Sequence, residues 1–250
     1  MSKDDFFVGY SDEMPKSDRR TFLTGGVALV GTAAAGASLL ALSQRPVGRG
    51  TWDQGTVHTF TGIAPAEPYA MLRTSDITGA PQTALLACLG KCGVSARIAS
   101  YAGKTVSVRG TLIQRDSHVM IAVVDDIDWI TPVDSPQLPE LAFPAAEPVV
   151  EASLAGTILD SKCWFGAMRP AEGKVHKTCA ALCIRGGIPP VFLAKNREGR
   201  SRVMVMTEGG QPLSEDVLPF VTDPVLVKGA ISQRGDLLFF DMTDVQRQLT

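Results

Sequence analysis

One β pattern occurs twice in this sequence, and the repetition narrows the available folds more than any other feature. Residues 103–130, GKTVSVRGTLIQRDSHVMIAVVDDIDWI, set Val106 and Val108 in alternation before Gly110, then Gln114 and Arg115, then an apolar run closed by Asp125. Residues 223–249, DPVLVKGAISQRGDLLFFDMTDVQRQL, set out Val225, Val227, Gly229, Gln233, Arg234 and Asp241 in the same order. Period-two alternation marks a half-buried strand, the glycine permits a bend, and the polar residues make a turn into a second strand. Each copy follows another strand-like start, TVHTFTGIA at 56–64 and ASLAGTILD at 152–160. Duplication of a small β-domain is the economical reading.

Five or so short strands ending in a strand, glycine, strand unit suit an OB-like small Greek-key barrel. The expected fold class is therefore mainly β with short helices: two OB-like barrel domains, at 51–131 and 150–250, after one N-terminal transmembrane helix. The proline-rich stretch 132–149 between them reads as an extended linker. The second copy is longer. It adds two β-like segments, at 189–196 and 201–210, a short helix at 213–221 with Ser214 as N-cap, and a cysteine-rich insertion.

That insertion, residues 161–190, SKCWFGAMRPAEGKVHKTCAALCIRGGIPP, holds three of the five cysteines and one of the three histidines. Good helix formers over 174–185, stopped by Gly186 and Gly187 with Pro189 and Pro190 beyond, predict a helix. His176, Cys179 and Cys183 then stand at i, i+3 and i+7 on one face. Cys163 follows the strand that precedes it. Three arrangements fit. Three sulfurs and one nitrogen suit zinc or copper. Outside the cytoplasm Cys163 can instead bridge to Cys179 or Cys183 and pin the helix to the barrel, leaving one odd thiol beside His176. In the third arrangement Cys179 and Cys183 are small apolar core residues. Met168 adds a soft thioether nearby, although a lone methionine is more often packing. Cys88 and Cys92 in the first copy read as a hairpin disulfide or two incidental cysteines.

Ser17, Asp18, Arg19, Arg20, Thr21, Phe22 and Leu23 make a twin-arginine export signature ahead of an uncharged run. Arg19, Arg20, Phe22 and Leu23 are its key residues. The run is rich in glycine and alanine, mild for a spanning helix, yet about as long as the hydrocarbon layer is thick. The expectation is a head at 1–21 in the cytoplasm, a retained signal anchor and transmembrane helix at 22–43, and the remainder on the periplasmic side of a bacterial inner membrane. Phe6, Phe7 and Tyr10 in the head offer a membrane-side contact.

The 160–190 stretch, the FFVGY head and the twin-arginine helix together resemble a group of twin-arginine-exported, membrane-anchored periplasmic proteobacterial proteins. The resemblance rests on Cys163, Cys179, Cys183 and the Gly-Gly-Ile-Pro-Pro run at 186–190. It implies architecture and carries no chemistry.

The chain has a net charge of −2, so no basic excess points to nucleic acid. No glycine-rich phosphate cradle, Gly-x-Ser-x-Gly elbow or His-Glu-x-x-His helix occurs, and no enzyme activity is expected. His58 and His118 read as surface or turn residues, and Asp125, Asp126 and Asp128 as a solvated strand end. The first functional expectation is an accessory or binding subunit of a larger membrane complex, with a respiratory complex as the candidate; the rival is a periplasmic metal-binding or thiol-redox protein using Cys163, His176, Cys179 and Cys183.

Overall fold

The computed structural model describes residues 15–43 (backbone alone from 34), 50–65, 67–76, 78–134, 138–147, 150–195 and 201–248. The chain divides into two units, Met1–Val47 and Gly48–Thr250. In the first, helix α1 runs Lys16–Ser43, so the twin-arginine residues lie inside a helix. Arg19, Arg20, Phe22 and Leu23 are all exposed there. Among the described residues no helix is long and apolar enough to cross a membrane. The spanning helix expected over 22–43 is not borne out by them, in keeping with the small side chains of Gly25, Gly26 and Gly31, which add no apolar surface. Phe6, Phe7 and Tyr10 lie outside the described residues.

In the larger unit the alternating pattern becomes eleven strands among the described residues. The first sheet contains β1 (Thr51–Ile63), β2 (Met71–Ser75), β3 (Pro81–Ala87), β4 (Thr105–Arg115), β5 (His118–Val123) and β6 (Ile130–Pro132). The short helix α2 (Ser95–Ile98) lies between β3 and β4. The second sheet contains β7 (Val150–Asp160), β8 (Pro190–Lys195), β9 (Ser201–Thr207), β10 (Pro224–Arg234) and β11 (Leu237–Arg247), with helix α3 (Lys177–Arg185) between β7 and β8. The second sheet closes into a five-stranded barrel of order β10-β11-β9-β8-β7. The first runs β1-β2-β3-β5-β4-β6 and also pairs β1 with β4, so its first five strands return on themselves. Corresponding pairs agree in direction: β3 with β5 and β9 with β11 are parallel, and the other ring pairs antiparallel.

The duplicated residues take corresponding places. Arg115 pairs with His118 across one two-residue turn and Arg234 with Leu237 across the other. The first turn residue has positive φ in both, 52° at Asp116 and 63° at Gly235. Gly110 and Gly229 lie where a Cβ would collide with a facing carbonyl, of Ala122 and Asp241 respectively. The acidic closures do not correspond. Asp125 lies beyond β5, whereas Asp241 is inside β11 and accepts from the Thr207 hydroxyl at 2.7 Å.

Each ring has its own apolar interior, and a third cluster joins the sheets: Met71, Ile113 and Met120 of the first pack with Leu159 and Leu237 of the second and with Phe165, just after β7. Burying a side chain of this size contributes about 1.5–3 kcal/mol. Polar contacts align the junction. The Tyr69 hydroxyl donates to the Met206 carbonyl at 2.8 Å and accepts from the Leu213 N–H at 3.1 Å. Asp236, on the β10–β11 turn, pairs with Arg73 and accepts from the Thr83 N–H at 2.8 Å.

Two sequence expectations change here. The described part of 132–149 is not a plain extended linker: it holds a 3₁₀ turn, Pro139–Leu141, buries Leu141, and packs Phe143 under the Arg234 guanidinium. Its apolar residues have a core to join. The segment expected as a short helix at 213–221 is a 3₁₀ turn, Glu215–Phe220, with Pro219 inside it and no side-chain bond from Ser214. Proline removes the N–H that an α-helix would need.

Candidate metal centre

Strand β7 ends at Asp160, which is fully buried. Its Oδ1 accepts from the Cys163 N–H at 2.8 Å, and Oδ2 lies 3.0 Å from His176 Nε2. The carboxylate thereby turns the chain into the wide helical turn Cys163–Ala167 and aims Cys163 inward. Opposite, α3 presents Cys179 and Cys183 one turn apart. The Sγ atoms of Cys163, Cys179 and Cys183 all lie within 4.8 Å of one another, and all three thiols are free. Cys163 and Cys183 are buried and Cys179 is half-buried. Met168 Sδ is 3.8 Å from the Cys179 sulfur.

The first sheet closes the site. Cys88 and Cys92 form a disulfide, and the loop between them carries Lys91. Its Nζ lies 2.6 Å from the Cys179 sulfur and 3.8 Å from that of Cys183. Lys162, 3% exposed, donates to the carbonyls of Cys88, Leu89 and Gly90 at 2.6, 2.7 and 2.8 Å. One buried ammonium thus fixes the loop with all three of its N–H groups. The loop also lies against the end of α3: the Gly93 N–H donates to the Gly186 carbonyl at 2.7 Å, and a Cβ on Gly186 would overlap the Lys91 carbonyl oxygen. Gly186 is therefore a close-approach residue, while Gly187, at a φ of 94°, is the left-handed residue that ends α3.

The electrostatics separate the thiols. Cys183 is held below the ordinary thiol range, first by the hydrogen bond from Cys163, with Lys91 adding and burial opposing. Cys163 is pushed far above it, first by that same bond to Cys183, then by burial and the Asp160 carboxylate. Lys91 is raised above its ordinary value, chiefly by its bond to Cys179, and Lys162 is lowered by burial.

Of the four residues expected to converge, three do so. His176 belongs to a second triad with Asp160 and Cys163 and stands outside the three-sulfur set. The reason is local: a 3₁₀ turn, Lys174–His176, precedes α3, so the expected helix over 174–185 starts three residues late and the imidazole rotates towards Asp160. No bridge links Cys163 to Cys179 or Cys183. His58 lies 3.4 Å from Asp53, and His118 sits edge-on to Phe165, where burial lowers its pKa. Asp126 pairs with Arg109, and among the described residues Asp125, Asp126 and Asp128 join no donor triad.

Sequence reasoning passed over Asp160, Lys162 and Lys91. The signal for the first two was their place beside Cys163 at the end of an apolar strand, where an acid and a base are out of character. Lys91 gave its own hint as a lysine between two close cysteines. No family model, curated protein or solved structure matches this chain.

Proposed function

We propose that this chain is a metal-binding protein that holds a thiophilic ion through Cys163, Cys179 and Cys183. The observation that carries this reading is three free sulfurs, from two separate elements, within 4.8 Å of one another. Sulfurs each about 2.3 Å from a common centre lie roughly 3.8–4.0 Å apart, within that limit. A disulfide instead joins two sulfurs at about 2 Å and leaves the third unexplained. Thiolates suit zinc and copper. Such an ion would tie α3 to the end of β7 and give the chain a thiolate-bound ion to store or hand on.

The chain's own residues support the ligands. Asp160 orients Cys163 through its backbone N–H, and His176 holds Asp160 in place; outer partners of this kind fix ligand geometry. Lys91 offsets thiolate charge at Cys179. The common cyclic strand order supports reading both sheets as OB-like barrels. The export signature supports a periplasmic setting at the inner membrane, since the twin-arginine route carries folded cargo loaded with its cofactor. Docking onto a larger membrane complex rests on that setting and on the head.

Metal analysis with thiol counting on the folded, exported chain tests the reading. One equivalent of zinc or copper is expected, with three thiols released on its removal and the ion lost in Cys179→Ser. Absence of stoichiometric metal, with Cys179→Ser lowering only the melting temperature, would make the cluster structural.

A further inference from the structure

We infer that Lys91 is a specificity-determining residue that biases the thiol site towards a monovalent soft ion, Cu(I), over Zn(II). The inference rests on the metal-binding reading above and adds which ion is taken and why.

The donors come first. Around the site are three thiols and the Met168 thioether, while the one nearby imidazole is engaged with Asp160. Structural zinc sites almost always use four strong ligands, whereas soft thiolate and thioether donors favour Cu(I). Among the described residues no fourth cysteine or histidine joins the three sulfurs within 4.8 Å.

Charge adds a second, independent bias. An ammonium beside the ligands opposes an incoming ion in proportion to that ion's charge, so it penalises a divalent ion twice as much as a monovalent one. Lys91 Nζ touches the Cys179 sulfur and lies 3.8 Å from that of Cys183, against the sulfurs themselves. Its backbone is fixed. The Cys88–Cys92 disulfide closes its loop, Lys162 clamps three consecutive loop carbonyls, and the neighbouring Gly93 bonds to the end of α3. The side chain itself is exposed, so what the loop supplies is an anchored Cα from which the ammonium reaches both sulfurs. Lys162, next in sequence to Cys163, adds a second ammonium that is buried and fully engaged.

Competition titrations on the full-length, disulfide-intact, metal-free chain test this. Cu(I) is measured under argon against bathocuproine disulfonate, and Zn(II) against a chromophoric chelator, for the wild type, Lys91→Met and Lys91→Arg. Lys91→Met is expected to shrink the Cu(I)-over-Zn(II) affinity ratio by about five- to tenfold, the effect of a unit charge at roughly 4 Å under screening close to that of water, mostly through tighter zinc. Lys91→Arg keeps the charge and should hold the ratio near that of the wild type. An unchanged ratio in Lys91→Met, or a wild type that prefers zinc, overturns the inference and leaves the metal-binding reading standing. Failure of both ions to bind at one per chain overturns both.

Discussion

Removing the Asp160 carboxylate should be among the most damaging single changes outside the apolar clusters. In Asp160→Ala the buried ring nitrogen of His176 loses its partner at 3.0 Å, and the Cys163 N–H loses its partner at 2.8 Å. Each buried polar group left unpaired costs about 1–3 kcal/mol, so the two together cost about 2–6 kcal/mol. For a unit of some 200 residues each kcal/mol moves the melting point by roughly 2–4 °C, so the expected fall is about 4–24 °C. Circular dichroism melts and urea unfolding of the reduced, metal-free chain measure it. The double mutant Asp160→Ala/His176→Ala should lose less than the two single losses combined, because the second change removes a group already orphaned. A loss below about 1 kcal/mol for Asp160→Ala, or strict additivity in the cycle, would refute the role given to this pair.

Three further outcomes follow from the same contacts. Lys162→Met removes the ammonium that holds the carbonyls of 88–90, so the Cys88–Cys92 disulfide should be reduced several-fold faster by dithiothreitol; an unchanged rate would show the loop is held by other means. In the metal-free chain the thiolate absorbance near 240 nm should rise in separated steps as pH increases: Cys183 is lowered and ionises first, below the ordinary thiol range, and Cys163 is raised and ionises last. Cys183→Ala should abolish the early step, and persistence of that step would contradict the assignment. Gly186→Ala forces a Cβ onto the Lys91 carbonyl and should destabilise the fold by more than about 1 kcal/mol, whereas Gly209→Ala, with open space around it, should suffer only the strain of its positive φ.

What the sequence made legible was local in origin. The paired strands of both sheets could be read because alternation, a bend-permitting glycine and a polar two-residue turn all act within thirty residues. The meeting of Cys163 with Cys179 and Cys183 was legible for a similar reason: helix spacing fixes two sulfurs on one face, and a strand end supplies the third. The start of α3 was less so, since composition favours helix throughout 174–185 and only the positive φ of Gly173, at 77°, sets off the preceding 3₁₀ turn. Lys91 and Lys162 stood out locally, but their partners were out of reach. Their roles arise where one sheet meets the other, between residues more than seventy positions apart, and no local pattern encodes that contact. The site is thus readable as a set of ligands but not as an environment.

X-ray absorption at the metal edge of the loaded, full-length chain addresses the central claim most directly. Three sulfur scatterers at about 2.3 Å, at most two once Cys163 is replaced, are predicted. A shell of nitrogen and oxygen alone, or one unaltered by Cys163→Ser, would contradict it.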